Sequence, residues 1–524
     1  MKQEAATVRL TVDRRAVDVP AGATILQAAK QLGIFIPTMC HRDGFEPSTS
    51  CMVCVVEVVG QKNLLPACGA LAGDGMEIFT STEKVVQARK TAIELLLSEH
   101  AGDCLAPCQT GCPADMNIPL MIEQILAGRV DLAIETIKRD IALPAVLGRI
   151  CPAPCEKVCR RKDHDQPVAI CLLKRFAADD DLGHPNPYRP VCKEPTGKKV
   201  AIIGAGPAGL SAAYYLTQQG VKCVVFDKFD KPGGALRNGP LKQVLPDDVL
   251  DRETSLIFSL GPEFRGCTEI GKDISFEQIC AEYDAVFAAC GGAETHNISS
   301  FGLEMSEKGV RADAGTYQTS RQGVFAGGRS IGRTNLCVRA AADGKEAAES
   351  IVQYLSGRVV GVKKRFNSRL GQVSEQEMQS FLSGASPEGR IEPAGQSAGY
   401  LYEQAQKEAQ RCLHCQCAKP ENCLLREQAR QNQARQRSYK GQRKPFIRQN
   451  NPAGVVFEQG KCILCGLCIQ QAQRQGLELC FERRGYESKI AVPFDKGPQE
   501  GLKNFTVECA SVCPTGALAI RKKM

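Results

Sequence analysis

The sequence predicts a multidomain chain of α+β and α/β parts, and three observations carry that reading. The first is the stretch Lys199–Leu216, KVAIIGAGPAGLSAAYYL. A short apolar strand, Val200–Ile203, runs into Gly204, Gly206 and Gly209, with Pro207 and Ala208 inside the loop, and a mostly apolar helix follows. In a dinucleotide-binding βαβ unit the first glycine turns the chain and the second lets the backbone approach the pyrophosphate. The third allows close helix–strand packing, and the helix N-terminus faces the phosphates. A second strand, Cys223–Phe226, ends in Asp227, at the distance past Gly209 that suits a carboxylate placed to take a ribose hydroxyl. Lys228 follows, then Gly233 and Gly234 of Lys231-Pro232-Gly233-Gly234. The second observation is 27 cysteines, many of them closely spaced, on both sides of this unit. The third is a length of 524 residues, which suits three or four domains.

The bulk numbers exclude several classes. Hydrophobic content of 43 % is enough for ordinary cores. No run of about 18 apolar residues occurs, so no membrane span is expected. Met1–Arg15 has no apolar h-region, so no secretion signal and a cytoplasmic location are expected. In such a chain, closely spaced cysteines point to metal rather than to disulfides. The formal charge of +8 does not argue for nucleic acid. A cluster held by four thiolates carries roughly −2, so five of them would about cancel the basic excess.

At the N-terminus, Val8–Leu10, Asp13–Val19 and Thr24–Leu32 read as strand, strand, helix. Cys40, Cys51, Cys54 and Cys68 follow in a long–short–long spacing. That spacing suits a [2Fe–2S] cluster wrapped by a loop, whereas zinc sites usually bring two C-x-x-C pairs and only one occurs here. Over about Val8–His100 the chain resembles the β-grasp ferredoxin domain of the large iron–sulfur subunit of respiratory complex I and of iron-only hydrogenases.

A helix over Thr82–Leu97 leads to His100, Cys104, Cys108 and Cys112, each one helical turn from the next in spacing. With Cys112-Pro113, Ile118-Pro119 and Ile150-Cys151-Pro-Ala-Pro-Cys155-Glu-Lys-Val-Cys159, this part resembles the helical iron–sulfur domain of the glutamate synthase small subunit and of dihydropyrimidine dehydrogenase. The resemblance implies two [4Fe–4S] clusters with interleaved ligands: Cys104, Cys108 and Cys159 for one, and Cys112, Cys151 and Cys155 for the other. His100 stands where that family has its first cysteine and would complete the first set; the alternative is that it caps the helix. For the second set the family uses a Gln or Glu where this chain has Lys174, which cannot ligate. Cys171, one helical turn earlier, reaches the same face; the alternative is a buried structural thiol.

After the Pro-rich linker Gly183–Pro195, the βαβ unit continues to Arg237-Asn-Gly-Pro-Leu-Lys-Gln-Val-Leu-Pro246 and resembles the same flavoprotein family, which implies FAD. Gly327, Gly328 and Arg329, with the helix-like run from Val338 to Ala348, resemble that family's closing FAD segment. Arg329 replaces an acidic residue expected there. Between Gly292 and Gly323, where the family inserts a second G-x-G-x-x-G domain for NADPH, this chain has only a short stretch. It is too short to build a nucleotide-binding domain.

A helical run Tyr402–Gln410 brings in Cys412, Cys415, Cys417 and Cys423 in quick succession, as a further [4Fe–4S] candidate with zinc as the alternative. Arg426–Arg448 holds eight Lys/Arg and one Glu and reads as a solvated linker or a strap docked on an acidic partner. Cys462, Cys465 and Cys468 with Cys513-Pro514 form a bacterial ferredoxin motif in which the Cys-Pro cysteine completes the first cluster. Ala472 occupies the position of the motif's own fourth cysteine, so one cluster is expected there, with Cys480 and Cys509 left over.

The predicted domains are therefore a β-grasp [2Fe–2S] domain over 1–85, a helical double-cluster domain over 86–185 and a Rossmann-like FAD domain over 186–356. A connector with a cysteine-rich segment over 357–450 and a ferredoxin-like domain over 451–524 follow. One [2Fe–2S], four [4Fe–4S] and FAD, with no acid–base constellation at a substrate pocket, suggest an electron relay rather than a catalytic site. The resemblances imply partners: an NADH-binding flavin and iron–sulfur subunit of complex I type, a terminal hydrogenase or formate dehydrogenase subunit, and soluble ferredoxin, with electron bifurcation as an extension. The competing readings are a glutamate-synthase-type donor to an amidotransferase and a nucleic-acid-bound redox sensor using Arg426–Arg448.

Overall fold

The computed structural model describes residues 6–292, 298–333, 335–362, 366–393, 395, 398–439, 441–451, 454–493 and 503–520. These fall into two compact units. The first comprises Met1–Leu105, Lys364–Gly384 and Cys415–Met524, and the second comprises Ala106–Lys363 and Ala385–His414. The segment read from sequence as one connector, 357–450, is thus divided between them.

In the first unit, β1 (Thr7–Val12) and β2 (Arg15–Pro20) form an antiparallel hairpin. Its two-residue turn, Asp13-Arg14, takes left-handed φ values of 47° and 66°, the combination that matches strand twist. Helix α1 (Ile25–Gln31) starts at Thr24, whose hydroxyl accepts from the Gln27 amide while the Gln27 side chain accepts from the Thr24 amide. With β3 (Val55–Val58), β4 (Leu65–Pro66) and β5 (Glu77–Phe79) the sheet order is β2-β1-β5-β3-β4. Alternating residues Leu10, Val12, Val17 and Val19 turn inward against Ile25, Ala28 and Ala29. Helix α2 (Glu83–Ser98) follows, capped by Thr82. The C-terminal part of this unit is an antiparallel sheet of Arg448–Asn450, Val455–Glu458 and Leu518–Ile520 with helices Leu467–Arg474 and Val507–Val512.

The basic stretch after Cys423 is folded into this unit, which corrects the reading of a solvated linker. Leu424–Gln431 is a helix packed on α2. Arg443 pairs with Glu377, Arg448 donates to Glu458 at 2.8 Å, and the Arg435 amide donates to Glu94 at 2.9 Å. The charge pattern was read without these acidic partners because they are supplied by distant segments.

The second unit begins with short helices α3 (Pro107–Gly111), α4 (Ile118–Leu126), α5 (Val130–Lys138), α6 (Pro144–Ile150), α7 (Pro154–Lys157) and α8 (Ile170–Gly183). Four of them carry proline in the first turn, where a missing amide costs nothing. A parallel sheet follows: β6 (Lys199–Ile203), β7 (Lys222–Phe226), β8 (Glu263–Arg265), β9 (Ala285–Ala288) and the strand Val324–Ala326. The order β8-β7-β6-β9-(Val324–Ala326) is that of the doubly wound dinucleotide fold. Phe226, Phe287 and Phe325 are wholly buried, each contributing roughly 1.5–3 kcal/mol. β9 pairs directly with Val324–Ala326. Between them the described residues hold only a turn of 3₁₀ helix, Ile298–Phe301, and a small hairpin, Met305–Ser306 with Gly309–Val310. No described helix is long and apolar enough to cross a membrane.

Candidate metal and nucleotide sites

The 40–68 loop closes on itself. Cys40, Cys51, Cys54 and Cys68 are all buried, and Cys54 Sγ lies 3.4 Å from Cys68 Sγ. Thiol hydrogen bonds from Cys51 and Cys68 hold Cys40 below the ordinary cysteine range, while the same contacts push Cys51 and Cys68 above it, so the four thiols titrate as one group. Arg89 on α2 donates to the Val53 carbonyl at 2.9 Å and so ties the loop to its helix.

The ferredoxin-type motif lines a partly open pocket with Cys462, Cys465, Cys468 and Cys513 together with Phe457, Ile490 and Leu518. Apolar walls and four converging thiols fit a cluster, whose potential depends on burial. The Leu464 amide points at Cys462 Sγ (3.4 Å), and Leu464 adopts a φ of 55° to do so. Ala472 is fully buried in the same core. Cys509 is buried too, but its thiol is directed at the Cys468 carbonyl, 3.6 Å away, and Cys480 opens the strand Cys480–Glu482. One apolar cluster contains Cys40 and Cys51 of the first site, Cys465 of this one, and partly buried Cys423.

In the second unit Cys112 ends α3, Cys151 ends α6, Cys155 lies in α7 and Cys171 is the second residue of α8. Lys174, one turn along α8, is buried among them. Burial alone would lower its pKa, but the thiols of Cys171, Cys151, Cys155 and Cys112 outweigh that and raise it. Cys171 shares its proton with Cys151, whose own pKa drops to about 6 through that hydrogen bond. The α8 helix therefore presents Cys171 to the same place as the three sequence-predicted thiols.

The other sequence-predicted sets are divided differently. Cys108 and Cys159 lie in the second unit, and so does Cys412. Buried Arg161, just past Cys159, donates to the Arg411 carbonyl at 2.6 Å, which ties the backbone leading to Cys412 to the turn that follows Cys159. Arg411 in turn donates to Glu408 at 2.8 Å and Asp165 at 3.0 Å. His100, Cys104, Cys415, Cys417 and Cys423 belong to the first unit. His100 does not cap α2, because its Nδ1 is buried with no hydrogen-bond partner. Burial, then the nearby Lys461 charge, pushes its pKa down to about 3, so the ring is neutral. Ser368, which carries no sequence signal, touches Cys104: its amide donates to the Cys104 Sγ at 3.4 Å, and its hydroxyl lies 3.2 Å from the same sulfur. Lys461, adjacent to Cys462, was detectable only as a basic neighbour of a motif cysteine.

At the nucleotide loop, Gly204 has a φ of 107°, and a Cβ on Gly209 would collide with the Gly204 carbonyl oxygen, which is why both are glycine. Pro207 and Ala208 open α9 (Pro207–Gln218), whose N-cap is Gly206. Asp227 accepts from the Ala205 amide at 2.6 Å and from the Phe229 amide at 3.0 Å, so it braces the loop. The Gly233 amide donates to Ala205 at 2.9 Å, and Gly234, with a φ of 51°, packs on Gly206. Lys228 lies over the Phe229 ring at 5.4 Å. Arg237 is committed elsewhere: it pairs with Asp251 and Asp247 and donates to the Pro232 carbonyl. Gly327 and Gly328 follow the strand Val324–Ala326, with the Gly328 amide on Asp343 at 3.1 Å, and Arg329 lies against Gly292. Among the described residues no three His, Cys, Asp or Glu side chains are placed to hold a single metal ion.

These sites define a class. Residues 5–83 match the family described as 2Fe-2S iron-sulfur cluster binding domain, and residues 82–184 match dihydropyrimidine dehydrogenase domain II, 4Fe-4S cluster. Residues 202–266 match NAD(P)-binding Rossmann-like domain. The chain thus joins two iron–sulfur domains to a Rossmann-like nucleotide-binding domain. Among curated proteins it is similar to the NADPH-Fe(3+) oxidoreductase subunit beta of Geobacter sulfurreducens, 42 % identical over 39 % of this chain and 30 % of that protein. It is also similar to the NADP(+)-dependent formate dehydrogenase subunit beta of Moorella thermoacetica, 39 % identical over 39 % of this chain and 31 % of that one. A third is the NAD-dependent dihydropyrimidine dehydrogenase subunit PreT of Salmonella typhimurium, 34 % identical over 45 % of this chain and 60 % of that one. The chain spans about a third of the first two relatives' length. Among solved structures, an NAD+-reducing [NiFe]-hydrogenase in the H2-reduced state aligns at 29 % identity and a TM-score of 0.18 over 21 % of this chain and 43 % of that one.

Proposed function

We propose that the chain is the iron–sulfur flavoprotein subunit of a multisubunit NAD(P)-linked oxidoreductase of hydrogenase or formate dehydrogenase type. It would carry electrons between a partner that oxidises NAD(P)H and a terminal catalytic subunit or ferredoxin. The observation that supports this most is the apolar cluster of the first unit, in which Cys40, Cys51, Cys465 and Cys423 share one core. Cofactors held that way would sit in a continuous dry medium suited to transfer rather than to substrate chemistry. The names of the three relatives, all oxidoreductase subunits, point the same way. Iron–sulfur clusters supply one-electron steps, and a flavin supplies the exchange between two-electron and one-electron carriers.

FAD is the proposed nucleotide, cradled by Gly204, Gly206, Gly209, Gly233, Gly234, Asp227 and Gly328, with Arg329 near its pyrophosphate. The small hairpin between β9 and the strand Val324–Ala326 leaves no second nucleotide-binding domain among the described residues. The β-grasp, ferredoxin-like and bifurcating descriptions belong to this proposal, and a glutamate-synthase-type donor is the reading it competes with. The test is anaerobic purification of the full chain. About 18 iron atoms and one FAD are expected, with no bleaching of the flavin by stoichiometric NADPH or NADH until a partner subunit is added. About ten iron atoms or fewer, stoichiometric zinc, or direct reduction by NADPH would refute it.

A further inference from the structure

We propose that Cys104, Cys417 and Cys423 hold one [4Fe–4S] cluster together, with the His100 imidazole as its fourth ligand. This rests on the iron–sulfur reading above but departs from the ligand grouping that the sequence and its family resemblances imply. In that grouping Cys104 goes with Cys108 and Cys159, and Cys417 and Cys423 go with Cys412 and Cys415.

All four proposed ligands lie in the first unit. The Cys417 amide donates to the Cys104 carbonyl at 3.4 Å, so two cysteines from remote parts of the chain share one stretch of backbone pairing. Cys104 is fixed there by a strap. Its amide donates to the Ser368 carbonyl at 3.2 Å, the Leu105 amide donates to Asn367 at 3.0 Å, and the Leu370 amide donates to Asp103 at 2.9 Å. Cys417 is fixed from the other side. Its Sγ fills the space that a Cβ on Gly516 would occupy, and the Lys419 amide is 3.5 Å from that sulfur. Cys423 sits immediately before Leu424, whose amide donates to the Pro514 carbonyl at 2.9 Å. The turn 514–516 is thus flanked by Cys423 on one side and Cys417 on the other.

The fourth position is marked by an unpartnered polar atom. His100 is 7 % exposed, and its Nδ1 has no hydrogen-bond partner, so a buried polar atom stays unsatisfied unless something else takes its lone pair. The Ala101 amide donates to the Gly460 carbonyl at 2.9 Å, which anchors this turn beside Lys461. Lys461 packs on Gly102 and faces both His100 and Cys417. Lys461 is ion-paired with buried Glu458, which also holds Arg448, so the three together leave one net positive charge beside the site to offset the negative charge that such a cluster carries. The amides of Ser368 and Lys419 supply N–H···S contacts of the kind that tune cluster potentials.

The experiment uses the full chain, purified anaerobically, with iron counting and electron paramagnetic resonance of the reduced protein. Cys104→Ser and Cys417→Ser should each remove about four iron atoms and the same signal. The double variant should lose no more than either single one, while Cys412→Ser should remove a different signal. FAD content and the [2Fe–2S] signal report that each variant has folded. If a serine variant does not accumulate, Cys104→Asp and Cys417→Asp keep an anionic ligand and should shift one and the same signal. Pulsed resonance should show a strongly coupled nitrogen on that cluster, absent in His100→Ala. Loss of about eight iron atoms in the double variant, with Cys417→Ser and Cys412→Ser removing one signal, would overturn the grouping and leave the iron–sulfur reading intact. A wild-type chain with no iron at these cysteines would overturn both. An unchanged nitrogen coupling in His100→Ala would remove His100 from the set.

Discussion

Lys174 Nζ donates to the Leu147 carbonyl at 3.1 Å, which holds a buried ammonium at the centre of Cys112, Cys151, Cys155 and Cys171. The carbonyl comes from the last turn of α6, so the lysine also neutralises a helix C-terminus.

Replacing that charge should leave the site built but electrically changed. At an effective dielectric near 20 and a separation of about 6 Å, one unit charge shifts a neighbouring redox centre by on the order of 100 mV. Lys174→Met should therefore lower the midpoint potential of one cluster by that amount with iron content unchanged, as read by redox titration. A loss of iron instead would mean the lysine is needed for assembly.

Cys171 is placed by its neighbours. Its amide donates to Glu156 at 2.9 Å, and its sulfur lies 3.6 Å from the carbonyls of Leu147 and Gly148. Cys171→Ala should keep FAD bound but convert one cluster to a three-iron form in air, visible as a new resonance signal. An unchanged spectrum with full iron would make Cys171 a core thiol.

Gly209 tests the nucleotide loop. An added methyl would overlap the Gly204 carbonyl oxygen, so Gly209→Ala must push α9 away from β6. We expect the variant to lose FAD on desalting while its iron content stays near the native value, checked by flavin and iron assays on the same sample.

The Arg411–Glu408 pair is wholly buried, and both Glu408 oxygens also accept amides, from Ala169 and Ile391 at 2.8 Å each. Removing the carboxylate leaves Arg411 with Asp165 as its remaining anion and the Ala169 and Ile391 amides without an acceptor, at a cost of about 1–3 kcal/mol for each buried amide. Glu408→Leu should lower hydrogen-exchange protection of residues 385–393 and 398–414 by at least about 100-fold, because they are tied to the helical domain largely through this network. Unaltered protection would assign the attachment to apolar packing alone.

Glu253 predicts a pH dependence. Burial raises its pKa from 4.5 to about 7, although it accepts the Ala145 and Val146 amides at 2.8 Å. A carboxyl raised in the folded state contributes fully below its ordinary range, near pH 4.5. Its contribution falls as pH rises to about 7, by up to about 3 kcal/mol, and is level above that. The stability difference between native protein and Glu253→Ala should narrow over that window, measured by denaturant unfolding of the second unit, and a pH-independent difference would contradict it.

Local pattern was enough for much of the fold. The glycines at 204, 206 and 209, the caps at Thr24, Thr82 and Ser275, and the prolines that open α3, α4, α6 and α7 act over short range, so their structural meaning is readable from neighbours. The same holds for Cys40–Cys68 and for Cys462–Cys468, whose loops close on themselves. Arg237 read as part of the FAD-binding segment because Asp247 and Asp251 come from the helix Asp247–Phe258, whose placement no motif announces. Arg426–Arg448 looked solvated because Glu377, Glu94 and Glu458 approach it only in three dimensions. The cysteine strings show the limit most clearly. Spacing and family resemblance together identified every thiol proposed here, Cys171 from its place one turn before Lys174, yet how Cys104 and Cys412 are grouped depends on Ser368 and Arg161, which reach them from remote parts of the chain. A thiol's chemistry is encoded locally, while its partners are selected by long-range backbone pairing, which only the tertiary fold brings about.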